Sequence, residues 1–150
     1  MLRPEPQVGE FDDGPYWEYC KHGELRVQRC GHCGRYLWPV LPACPWDFSG
    51  NLEWTRVSEV GTISSWVVYH RVYHPEFKDA VPYVCANIEL PEGIRVTGNV
   101  YGPNGEFKAD EILQGDKRTN ALNGRRVRLF FEDCGHDLMI PQWKLIAEPA

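Results

Sequence analysis

The chain has no apolar run near the ~20 residues that a membrane-spanning helix needs, and its opening, MLRPEPQVGEFDDG, has no apolar signal core. Both absences lead to the expectation of a soluble cytoplasmic protein without a membrane partner. Basic excess is also missing: 16 Lys and Arg stand against 21 Asp and Glu, for a formal net charge of −5. Binding to a phosphate backbone draws on such an excess through counterion release, so nucleic acid is disfavoured as a partner. No internal repeat or low-complexity segment occurs. What is present is ordinary globular material. A chain of 150 residues with 43% hydrophobic side chains can bury a core as one domain or two small ones without pervasive cross-links.

Six cysteines without a secretory signal point to thiolate metal chemistry rather than disulfides, since two of them form a C-x2-C pair. That pair lies in RCGHCGRYLWPVLPACPWDFSG, residues 29–50. Cys30 and Cys33 can form a zinc knuckle, a tight turn whose backbone N–H groups face sulfur, with Gly34 supplying the positive φ. Cys44 follows at a spacing suited to a second knuckle across a short β-hairpin. Asp47 then stands where a second C-x2-C would place its cysteine. Carboxylate oxygen is an allowed zinc ligand, so Cys30, Cys33, Cys44 and Asp47 are the first-choice set. The alternatives are a fourth ligand from Cys20 or His22, or loss of the metal with Trp38, Trp46 and Phe48 holding the ribbon. His32, inside the first knuckle, is expected to point outward. A catalytic zinc keeps an open position for water, and three thiolates would acidify that water poorly, so the Zn2+ is expected to be structural.

Before the ribbon, GPYWEYCKHG reads as a short helix over 15–22 stopped near Gly23, followed by a brief strand at 25–29. Tyr16, Trp17 and Tyr19 are candidates for a partner interface, against the alternative that they pack on the same chain. From Leu52 onward the texture becomes that of strands. LEWTRVSEVGTISSWVVYHRVY, VPYVCANIEL, IRVTGNVYG, GRRVRLFFED and LMIPQWKLI are rich in β-branched and aromatic residues and are punctuated by Pro, Gly and Asn. The first is long with Gly61 inside it, and the helix-like KADEILQG falls between the third and fourth. This order predicts a mainly β chain: a loose N-terminal tail at 1–14, a helix and zinc ribbon at 15–50, a five-stranded OB-fold barrel at 51–146 and a C-terminal tail at 147–150.

The succession of an aromatic helix, GELRVQRCGHCGRYLWPVLPACP, VGTISSWVVYHR, VPYVCANIEL and GIRVTGN resembles a family in which a rubredoxin-like zinc ribbon precedes an OB-fold, long catalogued as a domain of unknown function. The resemblance spans roughly residues 16–144 and implies an accessory subunit without catalytic residues of its own. Its partner would be a thiolase-fold protein, or a hydratase or aldolase, acting on acyl-CoA, in a heterotetramer with two copies of each chain. The reactions implied are thiolytic or retro-aldol cleavage in steroid side-chain or aromatic-acid degradation, as with benzoylsuccinyl-CoA in toluene breakdown. Asp47 departs from the family pattern, where a cysteine is usual.

For coenzyme A contact, the cluster Lys117, Arg118, Arg125, Arg126 and Arg128 is the candidate, because phosphates favour such groups of cations. The competing reading is a solvated basic face. His70, Arg71 and His74 look like catalytic material, but His70 and Arg71 would point to opposite faces of a strand. Cys85 reads as a buried small hydrophobe. Cys134 with His136, and the carboxylates Glu132, Asp133 and Asp137, read as a hairpin turn. A free-standing OB-fold that binds single strands through Trp54, Trp66, Tyr69 and Tyr73 is the alternative function, opposed by the acidic charge.

Overall fold

A computed structural model describes residues 4–9 and 13–148. The tails expected at 1–14 and 147–150 thus lie partly outside the described residues. Helix α1 (Gly14–Lys21) starts with Pro15 in its first turn, where a missing N–H costs nothing, and ends before Gly23 at φ +74°. It leads into β1 (Arg26–Cys30), which pairs antiparallel with β2 (Tyr36–Leu37) on one side and β3 (Leu52–Arg56) on the other. This three-stranded sheet carries the ribbon. The barrel follows: β4 (Val60–Tyr69), β5 (Tyr83–Glu89), β6 (Arg95–Tyr101), α2 (Ala109–Leu113), β7 (Arg126–Asp133) and β8 (Met139–Leu145).

The barrel closes in the order β4-β5-β6-β8-β7, with β4 joining β7 and only the β6–β8 contact parallel. That is the five-stranded OB arrangement, with α2 between the third and fourth barrel strands. Alternation puts Val84, Ala86 and Ile88 of β5, Val96 and Val100 of β6, and Val127 and Leu129 of β7 inside, around Trp143 of β8. Where parallel pairing stops, buried Gln142 continues the ladder with its side chain by accepting the Asn99 N–H at 2.8 Å.

One expectation needs correction. The segment read as a single long first strand is two, because residues 57–59 turn the chain from one sheet to the other. Leu52–Arg56 belongs to the ribbon sheet, in register with β1. The corner is fixed by Val57, which is buried and donates its N–H to Leu25 O at 3.1 Å, and by Ser58, whose N–H and hydroxyl both reach Glu92 Oε1. Gly61 comes just after the corner. A Cβ there would lie 2.5 Å from Ile88 Cγ2 and 2.9 Å from Glu89 O, so β4 can approach β5 this closely only without a side chain.

Tyr16, Cys20, Leu25 and Val27 bury into the same apolar cluster as the barrel interior, so ribbon and barrel share a core. A smaller cluster, Cys30, Leu37 and Cys44 with Leu41 and Leu52 against it, is confined to the ribbon tip.

Candidate metal centre

Strand β1 ends on buried Cys30, and the chain then folds back. The Gly34 N–H donates to Cys30 O at 2.9 Å with Gly34 at φ +77°, and the Cys33 N–H points at Cys30 Sγ from 3.4 Å. The stretch from Cys44 repeats this turn. The Phe48 N–H donates to Cys44 O at 2.9 Å, and Phe48 takes the left-handed conformation at φ +60° despite carrying a side chain. Asp47 therefore occupies, in the second turn, the place that Cys33 holds in the first.

The loop between the turns is positioned by a side chain that sequence reading passed over. Buried Gln28 on β1 donates from Nε2 to Leu41 O at 3.0 Å and accepts the Leu41 N–H at 2.8 Å, acting as a surrogate strand. The only signal for it was an uncharged polar side chain within the strand LRVQRC.

The four candidate ligand atoms lie within 4.8 Å of one another. Cys33 Sγ and Cys44 Sγ are 3.6 Å apart, and Cys30 Sγ is 3.7 and 3.6 Å from the two oxygens of Asp47. A tetrahedral zinc with ordinary Zn–S and Zn–O bonds separates its sulfurs by about 3.8 Å and sulfur from oxygen by about 3.5 Å. The donor set fits zinc in both size and chemistry. No disulfide takes up Cys30, Cys33 or Cys44.

The Ser49 N–H, 3.0 Å from Asp47 Oδ1, and then the His32 imidazole hold the Asp47 carboxyl well below the usual carboxylate range. The Cys33 N–H lowers the Cys30 thiol, whereas burial pushes Cys44 up to about 11. A coordinating cation overrides that last cost, since it deprotonates a bound thiol.

Among the described residues this is the only metal-sized group of three or more His, Cys, Asp and Glu side chains. Neither alternative fourth ligand reaches it. Cys20 is buried in the shared core, with Tyr16 as its hydrogen-bond partner, and His22 Nδ1 lies 2.8 Å from Glu18 O on its own helix. The idea that aromatics hold a metal-free ribbon also fails in part: Phe48 is 83% exposed and Trp46 53%, and only Trp38 packs against the core.

The comparisons with known proteins match this architecture. Residues 17–53 match the profile described as the ChsH2 rubredoxin-like zinc ribbon domain, and residues 54–132 match the ChsH2 C-terminal OB-fold domain. The chain belongs to the ChsH2 family. A solved structure described as an Ltp2-ChsH2(DUF35) aldolase is similar at TM-score 0.74 and 28% identity, over 94% of this chain and 98% of that one. A probable enoyl-CoA hydratase alpha subunit of Thermomonospora curvata is 38% identical over 104 residues, 67% of this chain and 31% of that protein. The benzoylsuccinyl-CoA thiolase subunit BbsA of Thauera aromatica is 27% identical over 90 residues, 60% of each. The chain thus spans about a third of the hydratase subunit's length and under two thirds of the thiolase subunit's. The centre described above falls within the zinc-ribbon match, and the ChsH2 ribbon accounts for zinc binding by its cysteine cluster.

The remaining candidates are dispersed over this ChsH2-type chain. Of the helix aromatics, Tyr16 is 6% exposed and packs on Trp17 and Trp38, so it serves the core instead of a partner face. Trp17 and Tyr19 are half-buried; Trp17 Nε1 donates to Asp13, and Arg26 covers the Tyr19 ring at 4.7 Å. The large exposed apolar side chains are elsewhere: Val8 near the N-terminus, Trp46 and Phe48 at the ribbon tip, and Val67, Tyr69, Val72 and Tyr73 around the end of β4.

The basic cluster divides. Lys117 and Arg118 line a depression with Trp66, Val68, His70 and Leu113, and Arg118 is held by Asp116 at 2.7 Å. Arg126 lines a different depression beside Gly61 and Glu89, while Arg125 pairs with Glu148 at 2.7 Å. His70 and Arg71 lie beyond the end of β4, not on a strand, and His74 caps the turn Pro75–Phe77 by accepting the Glu76 N–H at 3.3 Å. Cys134 is buried with Sγ 3.2 Å from Leu138 O, and His136 sits in the β7–β8 turn 3.6 Å from Glu5. Cys85 is half-buried rather than enclosed, on the wall of a shallow depression with Trp66 and Tyr69.

Proposed function

We propose that this chain is a non-catalytic accessory subunit of an acyl-CoA enzyme, with the chemistry carried by a thiolase-fold partner. The observation that carries the reading is the clustering of Cys30, Cys33, Cys44 and Asp47 on a ChsH2-type ribbon. Three thiolates and a carboxylate around a zinc would leave no position for water or substrate, so the metal would build the ribbon instead of reacting. The relatives named as a hydratase subunit, a thiolase subunit and an aldolase support the same reading, and the thiolase and aldolase among them favour thiolytic or retro-aldol cleavage as the reaction class.

Cys30, Cys33, Cys44 and Asp47 would hold the Zn2+, which supplies a cross-link between the two turns. This chain's residues do the rest: Gln28 fixes the intervening loop, the corner at residues 57–59 docks the ribbon on the barrel, and the exposed aromatics offer partner-facing surface. Trp17 and Tyr19 keep enough surface to join that interface.

The assembly is a heterotetramer with two copies of each chain. Lys117 with Arg118, beside Trp66, forms the contact to the phosphates of a shared coenzyme A thioester; Arg126 lines a different depression and Arg125 pairs with Glu148, so neither is assigned to it. Lys117→Ala with Arg118→Ala should weaken CoA binding by the assembled complex several-fold in calorimetry while the complex itself survives. Unchanged affinity would remove the phosphate contact from this chain and leave the accessory role standing.

A further inference from the structure

We infer that His32 is a positioning residue for the metal: its imidazole braces Asp47, the ligand that stands in for a cysteine. This rests on Asp47 being the fourth ligand. His32 lies between the two thiolates of the first turn, yet its Nδ1 is 2.8 Å from Asp47 Oδ2 in the second turn, 15 residues away. A carboxylate only accepts, so Nδ1 carries the hydrogen. The other oxygen, Oδ1, takes the Ser49 N–H at 3.0 Å. Each oxygen thus has one N–H donor, and each keeps a lone pair for a cation.

The need for a brace follows from chemistry. A cysteine at this position would present one large sulfur that binds from several directions, whereas a carboxylate must hold its plane to keep an oxygen aimed at the site. Asp47 is partly exposed, so water would otherwise compete for that oxygen and let the group turn. His32 is itself 77% exposed, which rules out packing as the reason for its orientation. Its backbone is placed by Gly31, whose N–H donates to Asn51 O at 2.8 Å and where a Cβ would come within 2.5 Å of Asn51 Nδ2. Hydrogen-bonding partners of metal ligands typically matter 10–100-fold in affinity.

The test is a chelator competition on the purified full-length chain, read as zinc affinity and repeated with Co2+ so that the thiolate charge-transfer bands count the sulfurs. His32→Ala should lose about 10–100-fold in zinc affinity with the three-thiolate spectrum intact. His32→Asn, whose Nδ2 can stand where the imidazole Nδ1 stood, should recover most of it. Asp47→Cys should give four-thiolate bands, and in that background His32→Ala should change nothing, because no carboxylate remains to be braced.

Wild-type affinity in His32→Ala overturns the inference, as does an equal loss in the Asp47→Cys background, which would mark a general effect on folding. A loss that Asn does not rescue and that equals the loss in Asp47→Ala would make His32 itself the ligand. The two assignments fail separately: wild-type affinity in Asp47→Ala removes Asp47 from the shell, while weakening in Asp47→Ala but not in His32→Ala removes only the brace.

Discussion

Phe48 holds a left-handed backbone with its ring in solvent, an arrangement that costs a non-glycine residue roughly 1–2 kcal/mol. Glycine, which stands at the matching position of the first turn, would remove that cost and forfeit part of the gain to unfolded-chain entropy. Phe48→Gly should therefore stabilise the isolated chain by about 0.5–1 kcal/mol in denaturant titration, and a destabilised variant would show that the ring packs on something. If Phe48 also faces the partner, the same variant should weaken the complex. Cys20 gives a second prediction. Burial pushes its thiol from 9.0 up to about 12, and burial likewise raises Tyr16 beside it. The folded state thus favours the neutral thiol, so its stabilising contribution is whole below the unfolded pKa near 9 and is lost as pH rises through about 12. Stability should fall over that window and fall less in Cys20→Ala; equal slopes would contradict the assignment. The clustering of Cys30, Cys33, Cys44 and Asp47 was legible from spacing, because two knuckles fix where these side chains sit. The conformation of Phe48 and the bonding of Gln28 and His32 were not, since they depend on which turn lies opposite.

At the level of elements, the barrel strands and α2 were readable because alternation and punctuation act locally. The break between β3 and β4 was hidden because the corner itself, Val57-Ser58-Glu59, carries no Gly, Pro or Asn; a buried Val57 and a bond from Ser58 to Glu92 make the corner through tertiary contacts. The close approach at Gly61 has a direct consequence. Gly61→Ala places a methyl group against Ile88 and the Glu89 carbonyl, and should destabilise by about 1–3 kcal/mol, read by thermal or denaturant unfolding. A neutral effect would mean that β4 and β5 can separate. The ribbon tip has a core of only a few side chains, too small to persist without its metal. Removing zinc with a chelator should expose the amides of residues 30–51 to hydrogen exchange while β4–β8 stay protected. Loss of protection throughout would show that the metal holds the barrel as well, and unchanged exchange at 30–51 would show that it holds neither.

For the whole molecule, the core shared by α1, β1 and the barrel makes ribbon and OB-fold one platform, and the exposed aromatics at the ribbon tip and the end of β4 are the surfaces it offers. An acidic chain of −5 with those surfaces suits a protein partner better than a nucleic-acid strand. The most direct test of the accessory role is acyl-CoA cleavage by a thiolase-fold protein that co-purifies with this chain, assayed alone and as the pair, with mass measured by light scattering. The expected result is a complex with two copies of each chain, active only as the pair. Full activity of the thiolase-fold protein without this chain would contradict the account.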